Sequence, residues 1–155
     1  MRFAQNKNSG FTIIEIVLVL TILAILFGLS MLYYQTTQVR ADLNAQVSNF
    51  VGLVRLAQSS AEAGLNGTPH GVHLEEDRYV IFAGDVYDAD DPSNYEVVLP
   101  PTIAIDDYVL NDGGNTVLFS PPNGSTNDYG TIVFLSDQIN QSKTITITNV
   151  GSIYY

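Results

Sequence analysis

An α+β fold, one long helix followed by small antiparallel sheets, is what this sequence of 155 residues predicts. Three patterns point to it. A nearly uncharged apolar run fills Phe11–Tyr34, an amphipathic stripe continues it from Val39 to Ala61, and short alternating segments between turn residues occupy the chain after Gly67.

The apolar run holds 24 residues, roughly 36 Å as a helix, enough to cross a bilayer with some tilt. Glu15 is its one acid, and a carboxylate in that setting costs about 2.5–3.5 kcal/mol, so it needs a partner or a purpose. Ahead of the run lies the short polar leader MRFAQNKNSG, with Arg2 and Lys7. A secretory signal peptide fits less well, because its apolar region is shorter and ends at a cleavage site, whereas here a helical pattern continues outward. A plain signal-anchor helix, with Glu15 incidental, is the simpler alternative.

Beyond Gln35 the composition turns polar, yet Val39, Leu43, Val47, Phe50, Val51, Val54, Ala57 and Ala61 recur at steps of three and four. That spacing makes one helical face apolar and predicts packing against the C-terminal half. Gly64 stops the helix near Ala63, and Asn66-Gly67 with Pro69 mark a turn. Strands are expected at Gly71–Glu75 and Arg78–Ala83, a hairpin turning at Glu75-Glu76-Asp77. Others follow at Glu96–Leu99, Ile103–Ile105, Thr116–Ser120, Thr131–Leu135 and Lys143–Thr148, with Tyr154 and Tyr155 closing a last strand or packing on its rim. KTITITNV alternates strictly, as a half-buried antiparallel strand does. The connections Asp85–Asn94 and Pro121–Gly130 are loops.

Length allows one membrane-anchored domain and no second core. The net charge of −10 argues against nucleic acid, which needs concentrated Lys and Arg. No cysteine is present, so the fold must be held by its core without disulfides.

Gly10-Phe11-Thr12, then Glu15 and an unbroken apolar helix, resembles the processing signal of type IV pilins and the pseudopilins of type II secretion. The resemblance implies cleavage by a prepilin peptidase between Gly10 and Phe11, N-methylation of Phe11 and an assembly role for Glu15. Loss of the leader removes Arg2 and Lys7 and takes the charge to −12. The expected organisation is a leader over 1–10, a transmembrane and filament-core helix over 11–34, its amphipathic continuation over 35–64, and a β-rich head over 65–155. By the positive-inside rule the leader stays cytoplasmic and the head lies outside the inner membrane.

The C-terminal half resembles the GspH/FimT-like branch of minor pseudopilins and pilins. Leu53–Ser59, Tyr79–Phe82, Phe119-Ser120-Pro121 with Gly124, and the Thr-Ile-Thr-Ile ladder before Gly151 carry that likeness. In that branch two small sheets pack on the long helix. DNA-binding members have a basic C-terminal motif, and Gly151-Ser152-Ile153-Tyr154 lacks one.

Cleavage would place a new amine at Phe11, one helical turn before Glu15. Within one chain, the acid and the helix N-terminus partly neutralise each other. Between adjacent helices, the same pair in a low-dielectric medium favours one axial offset. The resemblance implies the intermolecular version. It also implies other pilins or pseudopilins, the prepilin peptidase, an inner-membrane assembly platform and membrane lipid as partners.

Asp85, Asp88, Asp90, Asp91 and Asn94 gather oxygen ligands of the kind Ca²⁺ takes, without EF-hand spacing, and a solvated acidic loop is the default. His70 and His73 fall on opposite faces of a strand and lack companion zinc ligands. No nucleophile elbow, phosphate loop or metal-helix motif is present, so an enzyme is not expected. A structural filament subunit is the expectation. The alternative is a membrane-anchored binding head, an adhesin or cargo-recognition subunit of the same kind of filament.

Overall fold

The computed structural model describes residues 10–155; residues 1–9 and the side chains of residues 30–35 and Asn66 lie outside that description. The expected leader is therefore represented by Gly10 alone.

One helix, α1, runs 50 residues from Ile13 to Glu62. It begins two residues later than its apolar run because Thr12 caps it. It ends where expected: Gly64 adopts a left-handed φ of 61°, and Ala63 and Gly64 donate their N–H groups back to Ser59 and Ala61 at 2.9 and 3.0 Å. A side chain at that φ would be strained, which is why glycine ends helices so often. A single 3₁₀ turn, Leu65–Gly67, follows.

The chain divides into two compact units between Thr37 and Gln38. In the first, every described side chain from Gly10 to Leu29 is exposed. The apolar stretch Ile13–Leu29 spans about 25 Å at 1.5 Å per residue. Among the described residues, no helix is long and apolar enough to cross a membrane. The expected span over 11–34 includes residues whose side chains are not described.

The second unit holds the core. Its eight strands are β1 His70–Leu74, β2 Arg78–Ala83, β3 Tyr95–Val98, β4 Ala104–Leu110, β5 Thr116–Phe119, β6 Gly130–Ser136, β7 Gln141–Ile147 and β8 Ile153–Tyr154. They form two antiparallel sheets with strand orders β3-β2-β1-β5 and β4-β6-β7-β8. All eight positions of the helical stripe, from Val39 to Ala61, are buried. Against them lie Val72, Leu74, Tyr79, Val117 and Phe119 of the first sheet and Ile132, Phe134, Ile145 and Ile147 of the second.

Phe50 is the meeting point. Its ring sits edge-on to Tyr79 at 4.9 Å and tilted on Phe134 at 5.1 Å, so one helical side chain touches both sheets. Burying such a side chain is worth about 1.5–3 kcal/mol in transfer terms. Asn49, next to it, donates to the Tyr79 hydroxyl at 3.2 Å, and burial pushes that phenol up to about 12 despite the bond.

One strand differs from the expectation. β4 begins at Ala104 and continues to Leu110, well past the anticipated Ile103–Ile105. Its register shifts between Ile105 and Asp107. That bulge breaks the period of two and places Asp106 and Asp107 in solvent, which hides the strand from a pattern search.

Candidate functional site

The N-terminal start of α1 is built from Gly10, Phe11, Thr12 and Glu15. Gly10 has open space around it, with nothing within 4 Å of the position a Cβ would take, and Phe11 is 80% exposed, so the Gly10–Phe11 peptide is accessible. Thr12 accepts the first helical bonds: its carbonyl takes the Glu15 and Ile16 N–H groups at 3.1 and 3.2 Å. Its hydroxyl also accepts the Glu15 N–H at 3.3 Å. Thr12-x-x-Glu15 thus has the sequence of a capping box, with the Thr12 half formed. The acid stands in the first turn, where a helix dipole favours negative charge.

The next turns present apolar side chains on every side: Ile13, Ile16, Leu20, Leu23, Phe27 and Leu29 are all exposed. Thr21 turns its hydroxyl back to the Val17 carbonyl at 2.8 Å, so even this polar group is satisfied inside the helix. A helix apolar on all faces is stable only when something covers it. The cap at Thr12 was not among the expected features; the T-x-x-E spacing at the start of the apolar run is the signal that marks it.

In the acidic loop the polar side chains bond their own backbone. Asp88 Oδ1 accepts the Asp90 N–H at 3.0 Å, and Asp91 Oδ1 accepts both the N–H and hydroxyl of Ser93 at 2.8 and 2.7 Å. Those Ser93 bonds hold the Asp91 carboxyl below its ordinary range. Asn94 donates its amide to the Asp88 carbonyl at 2.7 Å. These side chains pin their own turns. Among the described residues, no three His, Cys, Asp or Glu side chains are grouped to hold a metal.

Asp85 lines a shallow cavity of about 430 Å³ together with Tyr87, His73, Asp112 and Asp128. His73 is fixed there: its ring stacks on Tyr87 at 3.9 Å, its Nδ1 pairs with the Thr116 hydroxyl at 2.8 Å, and its Nε2 pairs with the Asn115 amide at 3.3 Å. An amide N–H can only donate, so Nε2 is the acceptor and Nδ1–H the donor, the neutral tautomer. Burial lowers the His73 pKa, offset in part by Glu75. Burial also raises the Asp128 carboxyl, against the 2.9 Å hydrogen bond it receives from the Leu118 N–H. His70 is buried on the other face, near the Thr68 carbonyl at 3.1 Å, so the two histidines do not converge.

Gln58, Gly124 and Gly151 do converge. Gln58 donates to the Gly124 carbonyl at 3.3 Å. A Cβ at Gly151 would overlap the Gln58 amide, and one at Gly124 would press on Glu62 and Gln58. Gly124 and Gly151 both have positive φ, 59° and 82°. They let two loops close over the end of the helix.

Residues 5–31 match the prokaryotic N-terminal methylation motif. The chain is 30% identical over 81 residues to type II secretion system protein H of Pseudomonas aeruginosa, an alignment covering 52% of this chain and 46% of that protein. The chain thus spans about half the length of the curated relative it matches. Its fold is that of the minor pseudopilin EpsH from the type 2 secretion system of Vibrio cholerae. The TM-score is 0.56 at 14% identity, over 73% of this chain and 94% of the other. The chain therefore carries a prokaryotic N-terminal methylation motif, is similar over about half its length to an H-type secretion protein and has a pseudopilin-like fold.

Proposed function

We propose that this chain is a minor pseudopilin of the H type: a structural, non-catalytic subunit of a type II secretion system. It is anchored in the inner membrane by its N-terminal helix, cut between Gly10 and Phe11 by a prepilin peptidase, methylated on Phe11, and drawn into a filament beside other pseudopilins. The observation that supports this best is the junction at one helix end of a methylation motif, a first-turn acid and an all-round apolar surface. In the membrane, lipid covers that surface; in the filament, neighbouring helices replace lipid.

Glu15 is the registry element of this proposal. Once the amine of a neighbouring first residue approaches it away from water, the attraction is far stronger than in solvent. Only one axial offset brings the two together. Gly10→Ala should block maturation, leaving a precursor of unshifted mobility in the membrane fraction. A chain matured normally at that position would overturn the peptidase assignment.

A further inference from the structure

We infer that the cavity on the outer face of the first sheet receives an arginine side chain from a partner protein. The inference does not depend on the filament reading.

Val72, Val117 and Phe119 are buried in the core, so alternation turns His73, Thr116 and Leu118 to the opposite face of β1 and β5. The loop after β2 bends over that face. Its Tyr87 ring is held by two others, stacked on His73 at 3.9 Å and edge-on to Phe82 at 5.5 Å. Phe82 is itself buried over Gly71, where a Cβ would meet its ring at 2.6 Å. His73, Tyr87 and Leu118 line the cavity, whose volume of about 430 Å³ falls within the range of roughly 300–1,000 Å³ common to ligand sites. Its walls are set before anything enters, which lowers the cost of binding.

Carboxylates surround it. Asp85, Asp112 and Asp128 line the cavity, and among the described residues no Lys or Arg does. None of the three forms an ion pair among those residues; every bridge there goes to Arg78. Asp128 accepts the Leu118 N–H and Asp112 the Gly114 N–H, both at 2.9 Å and each through one oxygen. Burial first, and then the Asp112 charge, raise the Asp128 pKa, so this carboxylate carries a cost that a cation would remove.

The arrangement selects the cation. The three carboxylates are spaced around the cavity, and among the described residues no three His, Cys, Asp or Glu side chains are grouped to hold a metal ion. A guanidinium is planar, spreads its charge over five N–H donors and stacks on aromatic rings, and its methylene stem suits the apolar Leu118. Val86 also lines the cavity and is 80% exposed. An apolar side chain held out beside an anionic cavity fits a protein surface better than a free small cation. The net charge of −10 disfavours a second copy of this chain.

The test titrates the full chain in detergent micelles with an end-blocked pentapeptide that has arginine at its centre between two valines. The Leu118 amide and the Tyr87 ring protons are followed by NMR, and both should shift saturably. The citrulline peptide, neutral and of the same shape, should bind about ten-fold more weakly, and the lysine peptide about three-fold. Asp85→Asn and Asp112→Asn should each lower the affinity about three-fold. Asp106→Asn, at the bulge of the second sheet, should leave it unchanged. No saturable shift, equal affinity for the arginine peptide and either control, or the same loss in Asp106→Asn would overturn the proposal. So would ethylguanidinium binding as tightly as the peptide, which assigns the cavity to a free cation, or the same shifts on concentrating the protein alone, which assigns it to a second copy.

Discussion

Gly151 and Glu15 show how much one position can decide. The backbone at Gly151 needs a φ of 82° and has no room for a Cβ beside Gln58. Gly151→Ala should therefore lower the stability of the second unit by about 1–3 kcal/mol, read as a fall in denaturation midpoint. Phe50→Ala should cost more, about 3–5 kcal/mol, because it empties the contact with both Tyr79 and Phe134. Glu15 lies outside that core and should leave its stability untouched. Glu15→Ala should be processed and membrane-inserted yet recovered poorly in sheared filaments; normal recovery would remove its registry role. His73 titrates within a fixed cage. Its folded pKa lies below the ordinary 6.5, so the unfolded chain binds the proton more readily. The contribution is full above pH 6.5 and is lost as pH falls from there toward the lowered value. Melting temperatures measured from pH 7 to pH 5 should fall more steeply for the native chain than for His73→Gln.

The elements differ in how far the sequence reveals them. The stripe from Val39 to Ala61 was fully legible, since helix periodicity is local and all eight positions are buried. β7 was legible for the same reason: Ile145 and Ile147 face inward while Thr144 and Thr146 face out. β4 was not, because a bulge and two aspartates interrupt its alternation. Nor was the division into two sheets, since pairing β1 with β5 joins residues 43 apart, as His73–Thr116 does, and no local pattern encodes that partner. At the candidate site, the roles of Gly10, Phe11 and Glu15 rest on the resemblance of their motif, and the structure adds that they sit at the exposed start of the helix. The capping role of Thr12 is not legible there because it lies in one hydroxyl contact with the Glu15 N–H. The acidic loop read as oxygen-rich, which is correct in composition, but its carboxylates are engaged in turn geometry. That geometry gives the loop its own prediction: Asp91→Ala should raise amide exchange at Ser93 and leave the Thr12 cap unchanged.

Across the whole molecule, two units ask for opposite surroundings. Every buried hydrophobic residue of the core, from Val39 to Ile153, belongs to the unit beginning at Gln38. A chain starting there should be soluble, monomeric and cooperative in unfolding, with no cysteine to make it respond to reductant. Dependence on detergent, or a broad non-cooperative transition, would contradict the assignment of that core. The exposed apolar helix Ile13–Leu29 should confer the opposite behaviour on the full chain, which should aggregate once detergent is withdrawn.

The ring of Phe50 has a mechanical consequence. Because it rests on Tyr79 and Phe134 together, tension applied along the helix backbone is shared between the sheets from the first moment of loading. Stretched from Gln38 in a single-molecule instrument, the native unit should yield in one rupture, and Phe50→Ala should split that event into two weaker ones.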